Sequence, residues 1–153
     1  MTQRNKYVIK HGKRLAALAG AFSMATASMA LSPVTAGAAT NTATGLCGSG
    51  YTTEVERMDI TGGSVYLMYN SSNGYNCVVT IKTADVGTPT AMAAYLGTKA
   101  GTGGEPSTWQ EHDSGNYSYF AGPIYLYAPH TCVYYGGQAE SGLWGYGGPT
   151  GCN

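Results

Sequence analysis

Positive charge is scarce in this chain, and most of it sits at one end. Only 8 of the 153 residues are Lys or Arg, and Arg4, Lys6, Lys10, Lys13 and Arg14 all precede residue 15. Beyond residue 38, Arg57, Lys82 and Lys99 face all 8 acidic residues, which leaves a net charge of −5. Three cations cannot neutralise enough phosphates to hold a nucleic acid by its backbone, and they form no polybasic patch for anionic lipid. Nucleic acid and the membrane surface are therefore excluded as partners. No apolar run reaches the ~20 residues that a membrane-spanning helix needs. The cysteines are separated by 30, 55 and 20 positions with no Cys-x-x-Cys pair, a spacing that argues against zinc. Serine is plentiful, yet the Gly-x-Ser-x-Gly elbow of serine hydrolases does not occur. Neither a metal nor a cofactor is expected.

The amino-terminal 38 residues carry the clearest signal that is present. A basic segment without acids, residues 1–14, precedes an apolar, Ala-rich stretch over 15–30, and Pro33 and the small residues Ala36 and Ala38 follow. That order is a secretory leader, with cleavage expected after Ala38. Residues 39–153 then form one small domain in an oxidising, extracellular compartment, with no membrane attachment after cleavage. Its four cysteines, Cys47, Cys77, Cys132 and Cys152, are an even number in an exported chain, so two disulfides are expected.

Abundant glycine and twelve tyrosines in that segment describe a β-protein, since Tyr suits a pleated, half-buried surface and Gly suits tight turns. Residues 64–70 alternate most cleanly, with Val65, Leu67 and Tyr69 on one side and Ser64, Tyr66 and Met68 on the other. Asn73-Gly74 then predicts a hairpin into 75–83, where Cys77, Val79 and Ile81 align. A phase slip in residues 51–60 predicts a bulge near Arg57. Residues 90–96 read as a strand, although Ala-Met-Ala-Ala also suits a short helix. Residues 97–107 read as a loop, and Asp113-Ser114-Gly115-Asn116 as a turn between 108–111 and 117–120. The glycine-rich stretch from Gly136 onward reads as irregular.

Gly63-Ser64-Val65-Tyr66-Leu67 is echoed by Gly122-Pro123-Ile124-Tyr125-Leu126, each followed by a turn and a Cys-Val pair. If each half is a meander closing its own loop, the disulfides are Cys47–Cys77 and Cys132–Cys152. The fold class that follows is all-β, a small antiparallel β-sandwich or flattened barrel of seven or eight strands with two disulfides.

The segments Cys47-Gly48-Ser49-Gly50-Tyr51, Gly62 to Asn70, Asn76-Cys77-Val78-Val79-Thr80, Gly115 to Tyr125 and Cys132-Val133-Tyr134-Tyr135-Gly136-Gly137 together resemble the spore-associated protein A family of filamentous actinobacteria. The likeness spans nearly the whole of 39–153, in order and with all four cysteines. It implies a small exported protein found on or around spores, without an established enzymatic activity and with no catalytic residues to carry over. Family members commonly place Trp before the Gly-Gly pair where this chain has Tyr135.

Among ionisable residues, Glu111-His112-Asp113 is the densest cluster. Neighbours on a strand point to opposite faces, so the three cannot converge without a turn at Asp113. His130 is too isolated for a zinc site, and Glu54 and Glu56, read as sharing one strand face, suit a charged edge better than a glycosidase pair. Catalytic residues are accordingly not assigned, and the protein reads as non-catalytic. The aromatics hold more promise. With Val65, Leu67, Ile124 and Leu126 inward, Tyr66, Tyr125 and Tyr127 face outward as a stripe suited to stacking on sugars or peptide. Tyr135 and Trp144 complete the candidate binding set. The expected role is a structural protein of the spore or cell-wall surface. The alternative is a glycan- or peptide-binding module, with polysaccharide as a partner.

Overall fold

The computed structural model describes residues 41–101, 106–140 and 143–152. The expected leader and its cleavage after Ala38 lie outside those residues. The described part is two four-stranded antiparallel sheets with two short helical turns. The first sheet has the order β1 (Thr53–Ile60), β2 (Gly63–Asn70), β3 (Tyr75–Lys82), β6 (Phe120–Tyr127). The second has the order β5 (Glu111–Tyr117), β4 (Thr90–Gly97), β7 (Val133–Glu140), β8 (Leu143–Thr150). The chain crosses between sheets after β3, after β5 and after β6, which makes the architecture a sandwich.

Period-two alternation decides which side of each strand is buried. Val65, Leu67, Val78, Ala121 and Ile124 of the first sheet pack against Met92, Ala94, Leu96, Val133, Tyr135 and Ala139 of the second. Thr80 sits among them, its hydroxyl donating across the gap to the Ala93 carbonyl at 2.8 Å. The short helix α1 (Ala43–Cys47), capped by the Thr42 hydroxyl, lies on the opposite face of the first sheet. Cys47–Cys77 ties α1 to β3, and Cys132–Cys152 joins the start of β7 to the end of β8, the expected pairing.

Several local expectations change. The β2–β3 connection is a four-residue loop, Ser71-Ser72-Asn73-Gly74, in which Asn70 Oδ1 accepts from the Ser72 N–H at 3.0 Å and Gly74 takes φ +75°. The bulge in β1 falls between Glu54 and Glu56, ahead of Arg57. Residues 90–97 are a strand because both faces are covered: Met92, Ala94 and Leu96 enter the core, while Ala93 and Tyr95 pack outward with Trp109.

Asp113 to Asn116 is not a turn but the middle of edge strand β5, held by its ladder to β4. Asp113 turns inward there, accepting from the Tyr117 hydroxyl at 2.6 Å and the Gly122 N–H at 2.7 Å. Nor is the stretch after Gly136 irregular. It contributes to β7 and β8, whose glycines stand where neighbouring chain or side chains leave no room for a Cβ. The echoed segments do not close two equivalent meanders: β2 and β3 form a hairpin, whereas β6 and β7 belong to different sheets.

Candidate functional site

The outer face of the first sheet carries Tyr66 opposite Val79, and Tyr125 opposite Cys77. Helix α1 covers the middle of this face, where Ala43, Cys47, Tyr51, Met68, Cys77 and Val79 form a small core. Tyr66 packs half-buried against that cluster, with the Arg57 guanidinium 5.4 Å from its ring centre. Arg57 in turn donates to Asp59 at 2.7 Å. The Ser64 hydroxyl, then Arg57, hold the Asp59 carboxyl below its ordinary value. Tyr125 lies beyond α1, its hydroxyl donating to the Cys47 carbonyl and its ring 5.6 Å from Tyr51. Tyr127 pairs with Tyr75 at 5.3 Å. The exposed part of the stripe is therefore Tyr75, Tyr125 and Tyr127, without Tyr66.

The outer face of the second sheet holds the second aromatic group. His112, Tyr95, Gly136 and Tyr146 stand in one cross-strand row, and Ser114, Ala93, Gln138 and Trp144 in the next. Trp109 packs against both neighbouring rings, 5.6 Å from Tyr95 at 17° and 6.5 Å from Tyr146 at 62°. Trp144 and Tyr146 are two apart on one strand, hence on the same side. Their rings stack at 5.4 Å and 16°, and they remain 41% and 53% exposed. The result is an exposed stacked pair whose Tyr146 ring stands T-shaped to the buried Trp109 indole. Tyr146 and Trp109 are absent from the aromatic set expected from sequence. The Trp144-x-Tyr146 alternation was the available signal, but surrounding glycines concealed the strand.

The five expected binding residues thus go to three places. Tyr66, Tyr125 and Tyr127 share one outer face, and Trp144 lies on the other. Tyr135 is a core residue at 1% exposure, because odd positions of β7 point between the sheets. Its phenol is pushed up to about 12, by burial first and by the Glu56 charge second. A phenol that ionises later in the fold than in the unfolded chain stabilises the fold fully below the unfolded pKa of about 10 and loses that contribution as pH rises through 12. Wild-type protein is therefore expected to lose roughly 2 kcal/mol between pH 10 and 12 from this residue alone. Tyr135→Phe should flatten that stretch of the stability profile in denaturant titrations. An unchanged alkaline slope would remove Tyr135 as its source.

Register separates the ionisable cluster: Glu111 and Asp113 stand opposite Leu96 and Ala94, facing the core side, while His112 stands opposite Tyr95 on the outside. The β1 bulge also separates Glu54 from Glu56, since they oppose Met68 and Leu67, adjacent positions that point to opposite faces. This corrects the expectation that the two share one face. Glu54 instead lines a cleft at the end of the sandwich together with His130. Among the described residues no group of three His, Cys, Asp or Glu side chains is placed to hold a metal ion.

Comparison with known proteins gives one relative of use. The chain is 44% identical over 119 residues to Spore-associated protein A of Streptomyces coelicolor, an alignment covering 73% of this chain and 71% of that protein. Neither a protein-family model nor a solved structure matches.

Proposed function

The chain belongs to the spore-associated protein A family, and from that footing we propose that it is an exported, non-catalytic protein of the spore or cell surface, held there by aromatic stacking on polysaccharide. Two disulfides suit an oxidising exterior. The separation of His112 from Glu111 and Asp113 by a strand face supports a role without acid–base chemistry. The observation that carries the reading is the stacked Trp144–Tyr146 pair, exposed and presented on a rigid sheet. Flat amphipathic rings suit the apolar faces of sugars, and exposed aromatics grouped in one patch mark contact sites.

Retention on purified spores and on cell-wall polysaccharide tests it. Trp144→Ala with Tyr146→Ala should weaken retention by about 1–3 kcal/mol, roughly 5- to 150-fold, while melting stays close to wild type. Undiminished retention of that variant would sink the Trp144–Tyr146 contact. A second reading places the contact on the exposed tyrosines of the first sheet, Tyr75, Tyr125 and Tyr127, of which Tyr75 and Tyr127 form the ring pair noted above. Tyr127→Ala in the same assay separates the two. Release of sugars or peptides from spore material, abolished by changing His112, would make the protein an enzyme.

A further inference from the structure

The inner face of the first sheet is apolar in its middle rows and turns polar at one end. Glu56, Leu67, Val78 and Ile124 occupy one cross-strand row, and the following row toward the β2–β3 loop is Thr53, Tyr69, Asn76 and Leu126. There the β1 bulge, the Pro129-His130 turn and the chain end near Gly151 surround a cleft of about 320 Å³. Its lining is Thr53, Glu54, Val55, Tyr69, Asn76, His130 and Gly151. His130 and Gly151 both have positive φ, +52° and +68°, so the backbone bends sharply on that wall.

Asn76 is the informative residue. It is only 3% exposed, lines the cleft, and its side-chain amide makes no hydrogen bond to any described residue. The amide is not sealed from solvent, since the buried side-chain polar atom without a partner among the described residues is Trp109 Nε1, so its two N–H donors and carbonyl acceptor open onto the cleft. Asn76 therefore presents both donor and acceptor to whatever fills the cleft.

We infer that this cleft binds a single pyranose ring, as a free monosaccharide or as the end residue of a glycan. The space lies at the small end of the range for ligand sites, enough for one ring. An amide, a hydroxyl, a phenol and an imidazole supply donors and acceptors for neighbouring hydroxyls, and Val55 and the Tyr69 ring supply apolar wall. Among the described residues no Lys or Arg lines the cleft, and Glu54 does, which disfavours phosphate or a carboxylate ligand. Sugar hydroxyls would replace the waters that otherwise satisfy Asn76. The site is independent of the Trp144–Tyr146 surface and is tested separately from it.

The test is a nitrogen-15 NMR titration of the purified protein with glucose, N-acetylglucosamine and galactose, with inorganic phosphate and glycine as controls. At least one sugar should shift the amides of Thr53, Tyr69, Asn76, His130 and Gly151 saturably, and neither control should. Asn76→Leu should weaken that binding at least 10-fold, and Tyr69→Phe several-fold. If Asn76→Leu does not fold, the shift map and Tyr69→Phe decide. Retention of Asn76→Leu and Tyr69→Phe on spores should match wild type. No saturable shift with any sugar, equal binding by both variants, or binding of phosphate or glycine instead would overturn the proposal. Shifts confined to Trp144 and Tyr146 would overturn it too, while supporting the aromatic contact.

Discussion

Replacing Cys47 and Cys77 together with serine is expected to lower stability by about 3–4 kcal/mol. The bridge closes a sequence separation of 30, and on the chain-entropy model a loop of that length stabilises by about that much. That is a large share of the roughly 5–15 kcal/mol available to a small domain. The structural consequence is local as well as global. Helix α1 has five residues, far too few to persist unaided, and its covering of Met68, Cys77 and Val79 relies on the bridge. The melting temperature should fall on the order of 15–25 °C. Dye binding to the uncovered face of the first sheet should rise before the main transition. The Tyr125 hydroxyl would lose its acceptor on Cys47 in the same opening. An unchanged melting curve for the double serine variant would show that α1 is not a stabilising cover. Cutting Cys132–Cys152 offers the contrast, since it should loosen the end of β8 and leave α1 in place.

Gly137→Ala should cost about 2–6 kcal/mol, although it adds one methyl group and asks nothing unusual of the backbone. Gly137 faces inward from β7, and a Cβ there would collide with Thr80 Oγ1 while lying 2.7 Å from the Ala93 carbonyl oxygen and 3.0 Å from Val65 Cγ2. The Thr80 hydroxyl donates to that same Ala93 carbonyl, a hydrogen bond that links the two sheets across the core. The added methyl must either part the sheets or push the hydroxyl away. Overpacking of this kind costs about 1–3 kcal/mol, and a buried hydroxyl without its partner costs about 1–3 more. A double-mutant cycle with Thr80→Ala identifies the cause. If the collision is with Thr80, the pair of changes should cost less than the sum of the single ones, by at least 0.5 kcal/mol or so. Additive losses would place the strain elsewhere, and a neutral Gly137→Ala would show that the sheets do not approach so closely.

These three residues mark where sequence reading succeeds and where it fails. Cys47 and Cys77 are legible because an even set of cysteines without metal-ligand spacing has few uses, and the hairpin that carries Cys77 alternates cleanly. Gly137 was read only as part of a glycine-rich, irregular end. Glycine in a sequence reports that something there excludes a side chain; whether that is a turn or a neighbouring strand is a fact about residues far away. Asp113 to Asn116 misled in the same manner, since turn-forming residues tolerate an edge strand once β4 supplies the ladder and Tyr117 and Gly122 supply partners for Asp113.

By itself the sequence determined the all-β class, the alternation that sends Val65, Leu67 and Ile124 inward, the presence of two disulfides and the family resemblance. Each rests on local periodicity, residue chemistry or the order of short motifs. Only the tertiary structure decided that Trp144 stacks on Tyr146 over Trp109, that Tyr135 belongs to the core, that α1 divides the tyrosine stripe, and that Thr53, Tyr69, Asn76, His130 and Gly151 border one cleft. Those groupings join positions up to 98 residues apart, from Thr53 to Gly151. They arise from which strand crosses to which sheet and from the phase of a single bulge, and a one-residue shift of register would send every side chain of a strand to the other face.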